Sequence, residues 1–132
     1  MRKILFTLVV LLGFLSAQAQ TASVSQPVDI SKVLKFTNDN YDLGKIAFGK
    51  PVEFTVSIQN ISNYNISLDN VMVGCGCTTP KYTKDQVILP GATATVVLGF
   101  NGSAVGMFSK SATLFFSGNL TKAVSFHGEG VQ

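Results

Sequence analysis

Cys75 and Cys77 are the only thiols of the 132-residue chain, and they stand in the run Val73-Gly74-Cys75-Gly76-Cys77-Thr78-Thr79-Pro80. Neighbouring thiols in an oxidising compartment tend toward a disulfide. Gly76 between them lets the backbone fold tightly enough to bring the two Cα atoms within the ~6.8 Å that a bridge tolerates. Such a bridge adds little stability: by chain entropy a three-residue loop contributes about 1.6 kcal/mol, against about 3 for a 15-residue loop, and ring strain subtracts from that. A strained bridge has a more oxidising potential, which would suit exchange with other thiols. The same thiols are soft donors suited to Cu(I), with Met72, Met107 or His127 as a third ligand.

Each of these uses needs help from neighbours, and the sequence offers little of it. A reactive thiolate wants a cation or a helix N-terminus beside it. The nearest basic residues along the chain are Lys81 and Lys84, beyond Pro80, and the lone His lies about 50 residues away. Thioredoxin-type pairs carry two residues between the cysteines and a helix after them. Met72 in an apolar run and Met107 beside Phe108 read as core fillers, and His127, alternating with Phe126, reads as an exposed imidazole. Cys75, Gly76, Cys77, Thr78 and Pro80 are therefore read as a compact loop that holds a disulfide or a thiol pair. No catalytic residue and no cofactor are expected, and the only metal alternative rests on Cys75 and Cys77.

Composition narrows the function further. The chain is 46% apolar and 13% charged, with a net charge of +3, far from the basic stripe that neutralising nucleic-acid phosphates requires. One His, no Trp and two Cys leave almost nothing for acid–base catalysis or a four-ligand zinc site. Arg2 and Lys3 precede the nearly unbroken apolar run Ile4 to Leu15, and Ala17-Gln18-Ala19 supplies a small-x-small site, so residues 1–19 read as a signal peptide cut after Ala19. The apolar run is too short to cross a hydrocarbon core of about 30 Å, so no permanent membrane span is expected. Removing 19 of the 132 residues leaves 113, with eight Lys, no Arg and seven acids. A chain of that size buries about two-thirds of its unfolded surface and needs no metal or disulfide to fold.

Residues 20–32 are polar and unpatterned and read as a flexible tether, with the domain spanning 33–132. The domain shows period-two runs with no amphipathic helical stripe. Val52, Phe54, Val56 and Ile58 fall on one face, and Glu53, Thr55 and Ser57 on the other. Further runs are Leu34 to Phe36, Tyr41 to Ile46, Ile66 to Val73, Ala92 to Phe100, Lys110 to Phe116 and Ala123 to His127. Turn residues separate them at Gly49-Lys50-Pro51, Asn60 to Asn65, Pro90-Gly91, Asn101-Gly102 and Gly118-Asn119. Short strands at intervals of about ten residues describe an all-β sandwich whose core is packed by Phe, since Trp is absent. Four Asn-x-Ser/Thr sites fall where turn Asn is expected anyway. Asp42-Leu43-Gly44 reads as turn chemistry around a lone carboxylate, and the lysines, Lys110 among them, as a solvated surface.

With its surroundings, the Cys-Gly-Cys-Thr segment followed by Pro80 resembles an exported bacterial immunoglobulin-like family, domain of unknown function 1573. The resemblance runs from about Leu34 to Val131. It is carried by Phe36, Asp42-Leu43-Gly44, Gly49, Phe54 and Asn60 before the motif, and by Pro90-Gly91, Gly106-Met107-Phe108-Ser109-Lys110 and Gly128 after it. The chain departs from the family pattern at Asn63 and at Ser117-Gly118-Asn119. The resemblance implies an immunoglobulin-like Greek-key β-sandwich of seven to eight strands, similar to Hydin and major-sperm-protein domains, and it implies no established activity. The sequence as a whole reads as a non-enzymatic interaction or scaffold module, exported to the periplasm or beyond the cell. Its partner is expected to be a protein or a cell-envelope component, and not nucleic acid. A thiol-disulfide or Cu(I)-handling role for Cys75-Gly76-Cys77 is the alternative.

Overall fold

Alternation of apolar and polar side chains generates both layers of this molecule. A computed structural model describes residues 28–132, so the expected signal peptide 1–19 and tether residues 20–27 lie outside the described residues. At the end of the tether stretch, Ile30–Lys32 form a single 3-10 turn capped by Asp29. The Ser31 hydroxyl and backbone N–H donate to this carboxylate at 2.7 and 3.0 Å and hold its pKa below the usual value.

Nine strands follow among the described residues: β1 (Leu34–Thr37), β2 (Asn40–Ala47), β3 (Val52–Asn60), β4 (Ile66–Val73), β5 (Thr78–Lys81), β6 (Gln86–Ile88), β7 (Thr93–Phe100), β8 (Gly106–Phe116) and β9 (Leu120–Val131). One sheet has the order β1-β3-β7-β5 and the other β2-β9-β8-β4-β6. All seven runs read from the sequence are strands. The expected count of seven to eight becomes nine through β5 and β6, which are too short for period two to stand out. Pro80 also argues against a strand; it is tolerated because β5 is an edge, where no ladder hydrogen bond needs the missing N–H.

The inner faces meet in one core. Phe54 and Phe100, from one sheet, each pack against Phe126 of the other, with ring centroids 5.4 and 5.8 Å apart. Tyr41 stacks on Phe54 and Phe108 on Phe100. Val56, Ile58, Leu68, Val96, Leu98, Leu114 and Val124 are fully buried between them.

Asn60 is the polar hub of this apolar interior. Its amide nitrogen donates to the carbonyls of Tyr64 and Ile88 at 2.7 and 2.8 Å, and its Oδ1 accepts from the Ser62 N–H and hydroxyl at 2.9 and 2.6 Å. Its backbone pairs with Ala92 and Gly91. One residue thus joins the end of β3 to β6 and to the approach to β7, with every polar atom satisfied.

The phase of β3 is testable. Phe54→Ala removes a ring buried between two aromatic neighbours and is expected to cost about 3–5 kcal/mol in denaturant unfolding. A near-neutral value would place Phe54 outside the core.

Candidate functional site

β4 ends in one sheet and β5 begins in the other, so residues 74–77 carry the chain across the sandwich. They do so in a β-turn closed by the Thr78 N–H donating to the Cys75 carbonyl at 3.4 Å. A disulfide joins Cys75 to Cys77 inside this turn, with Cα atoms 5.3 Å apart. Gly76 lies outside the left-handed region of φ, and a Cβ there would meet nothing within 4 Å. The close approach of the two Cα atoms therefore uses no backbone conformation reserved for glycine.

The two sulfurs are not equivalent. Cys77 packs against the core, and its carbonyl accepts from the Asn101 N–H at 3.0 Å. Cys75 lines an open cavity of about 210 Å³ with Gly74, Ser109, Lys110 and Ser111. Thr78 is buried, and its Oγ1 lies 3.7 Å from Cys77 Sγ and 3.9 Å from Cys75 Sγ. Since a disulfide carries no S–H, the hydroxyl is the donor, and its single hydrogen serves one sulfur at a time. Pro80 sits two residues on in β5, flanked by Lys81, which pairs with Glu53 on β3.

Lys110 is the residue that sequence reasoning missed at this site. The cation on the Cys75 cavity comes from β8, not from Lys81 or Lys84. One signal was available: Lys110 shares the alternation phase of Phe108 and Ala112, the inward phase, whereas a solvating lysine belongs on the opposite face.

The loop belongs to a tightly stitched end of the sandwich. The Gly49 N–H donates to Gly102 at 2.9 Å and the Phe48 N–H to Val131 at 2.8 Å. Gly102 has φ +77° and presses on the Lys50 backbone, while a Cβ at Gly130 would collide with the Ala104 carbonyl. The turn at 48–51, the loop at 101–105, the cysteine turn and the end of β9 are thereby fixed relative to one another.

Other expectations meet different surroundings. Met72 and Met107 are 56% and 80% exposed, so neither is core filler: each occupies the outward phase of its strand. Neither they nor His127 line the Cys75 cavity. His127 is part-exposed as expected, but Asp42 is not a lone carboxylate. Its Oδ1 accepts from the Gly44 N–H at 2.8 Å and lies 3.8 Å from His127 Nε2 on the paired strand. Among the described residues, no group of three or more His, Cys, Asp or Glu is placed to hold a metal ion, and no helix is long and apolar enough to cross a membrane.

A family model described as "Protein of unknown function (DUF1573)" matches residues 34–129. No curated protein matches the chain. Among solved structures, the ASH / PapD-like domain of human CEP192 is similar, with a TM-score of 0.60 and 11% identity over 82% of this chain and 92% of that one. WR4, a C. elegans MSP family member, is similar with a TM-score of 0.51 and 4% identity over 76% of this chain and 99% of that one. The Vibrio cholerae VesB protease matches with a TM-score of 0.61 and 12% identity over 78% of this chain but only 33% of the protease chain. At these identities the likeness is one of fold alone: a PapD-like, immunoglobulin-type β-sandwich.

The short ring around the bridge sets a ceiling on its structural worth. Replacing both Cys75 and Cys77 by Ser is expected to cost less than about 2 kcal/mol in denaturant unfolding, because so small a loop barely constrains the unfolded chain. Gly76→Ala is expected to stay within about 0.5 kcal/mol. Loss of folding in the double variant would assign the bridge a structural role instead.

Proposed function

The chain belongs to the DUF1573 family of proteins of unknown function, and from that premise we propose that it is an exported, non-catalytic module that docks a protein or another cell-envelope component on the stitched end of its sandwich. The observation that carries this reading is the exposure of Phe48 at 51%, Val105 at 60% and Met107 at 80% on that end. Single exposed apolar side chains are ordinary on any protein surface, but these three share neighbouring backbone. Phe48 bonds to Val131, while Val105 and Met107 flank Gly106, whose β9 partner is Gly130. Aromatic residues and Met are enriched in interfaces, and each such side chain contributes about 1.5–3 kcal/mol when fully buried. Because hydrogen bonds already hold the backbone that carries them, little ordering entropy opposes association. Function placed in loops on a rigid β-scaffold is the usual arrangement in sandwich domains.

Export rests on the basic start, apolar run and Ala17-Gln18-Ala19 of residues 1–19. The non-catalytic reading rests on the scarcity of acid–base groups, since His127 is the only imidazole of the chain.

Two measurements test the proposal. N-terminal sequencing of the protein from the cell envelope or medium is expected to begin at Gln20; a full-length chain confined to the cytoplasm refutes export. Chemical cross-linking in intact cells is expected to join the wild-type protein to a discrete envelope partner. The Phe48→Asp, Met107→Asp variant is expected to lose at least tenfold of that product while keeping its thermal midpoint. Undiminished cross-linking by the variant, or no product with the wild type, refutes the docking surface.

A further inference from the structure

We infer that Cys75 and Cys77 form a thiol-disulfide exchange centre in which Lys110 draws a substrate thiolate onto Cys75 and Cys77 departs against the Thr78 hydroxyl. The inference stands on the geometry of the cysteine turn; it replaces the non-catalytic reading at this one loop and leaves the docking surface on the apolar end as it was.

The placement of Lys110 is the first support. In the inward phase of β8, between Phe108 and Ala112, alternation calls for an apolar side chain. A lysine is found there instead, half-buried and lining the cavity of Cys75. Partial burial strengthens the attraction between a cation and a thiolate relative to open water. The second support is the inequality of the sulfurs: both cysteines are half-buried, but Cys75 lines the open cavity whereas Cys77 packs against the core. The third is Thr78, a buried hydroxyl within 3.9 Å of both sulfurs, able to donate to whichever becomes a thiolate.

The substrate class is an exported polypeptide with two reduced cysteines. Its first thiolate attacks Cys75 Sγ, forming a mixed disulfide as the Cys75–Cys77 bond breaks and its electron pair leaves on Cys77 Sγ. The second substrate thiolate then attacks its own partner sulfur and expels Cys75 as a thiolate beside Lys110. The substrate dithiol is oxidised to a disulfide by two electrons, and the Cys75–Cys77 pair is reduced. The two protons lost by the substrate thiols balance those taken up by Cys75 and Cys77. A cation that stabilises the Cys75 thiolate lowers its pKa and favours the reduced pair, making the disulfide a better oxidant.

Reduced glutathione serves as the probe. With the wild-type protein under excess glutathione, rapid alkylation followed by peptide mass spectrometry is expected to find the mixed disulfide on Cys75. An adduct on Cys77, or none, overturns the inference without recourse to any variant. In the Cys77→Ser protein, thiolate absorbance is expected to titrate at least one unit below the ordinary thiol value of about 8.5. Adding Lys110→Met is expected to raise that midpoint by about one unit, and Lys110→Arg to leave it low. At pH 7 the disulfide form of Lys110→Met is expected to be reduced at least fivefold more slowly than wild type, with an unchanged thermal midpoint. A Cys75 thiol titrating at its ordinary value, or a rate indifferent to Lys110, overturns the inference.

Discussion

The crossing at 74–77 constrains everything around it. The inner faces of two packed sheets lie about 10 Å apart, and four residues reach at most about 14 Å even when extended. The chain has almost no slack between the end of β4 and the start of β5, so it must pass over the core edge in a single tight turn. That turn brings Cys75 beside Cys77, drives Thr78 inward behind them, and sets Cys77 where its carbonyl meets the Asn101 N–H. A covalent ring of little worth to stability is thus placed where backbone geometry already holds its two ends.

The site lies on the end of the sandwich that is held by main-chain contacts. Backbone bonds from Asn101 to Cys77, Gly49 to Gly102 and Phe48 to Val131 link the loops there, and close approach at Gly102 and Gly130 leaves no room for side chains between them. Asn60 does a different kind of work, joining the end of β3 to the turn at 62–64 and to Ile88 of β6 through a buried amide with all its hydrogen bonds made. Such a network specifies which strand meets which, because any other register would leave the amide unsatisfied at a cost of about 1–3 kcal/mol per group. The main-chain stitching leaves side chains free to face outward, which is why Phe48, Val105 and Met107 can be exposed on a backbone that is itself well tied down.

Family membership and fold neighbours agree with this architecture but do not select among chemistries. The same sandwich occurs in part of a protease and in a complete MSP family member, so the fold is a support on which different sites are mounted. What is mounted on it here is local: a disulfide turn with a buried threonine hydroxyl beside it, and an inward-phase lysine on the cavity of Cys75.

Period-two alternation sufficed to read the all-β class, the seven principal strands and much of the core, because which face a side chain takes depends only on its own strand. Phe54, Val56 and Ile58 were legible for that reason, and so was the cysteine turn, a contact between residues two apart. Alternation is silent about which strands become neighbours. Cys75 and Lys110 share a cavity only because β4 pairs with β8, where Val73 opposes Ala112. Asp42 meets His127 only through the parallel pairing of β2 with β9. The short strands β5 and β6 likewise exist only because β7 and β4 offer them a ladder. The sequence by itself determined the strand faces and the turn, with the Thr78 hydroxyl next to it; strand order and register, set by the packing of the whole chain, decided that Lys110 lines the cavity of Cys75.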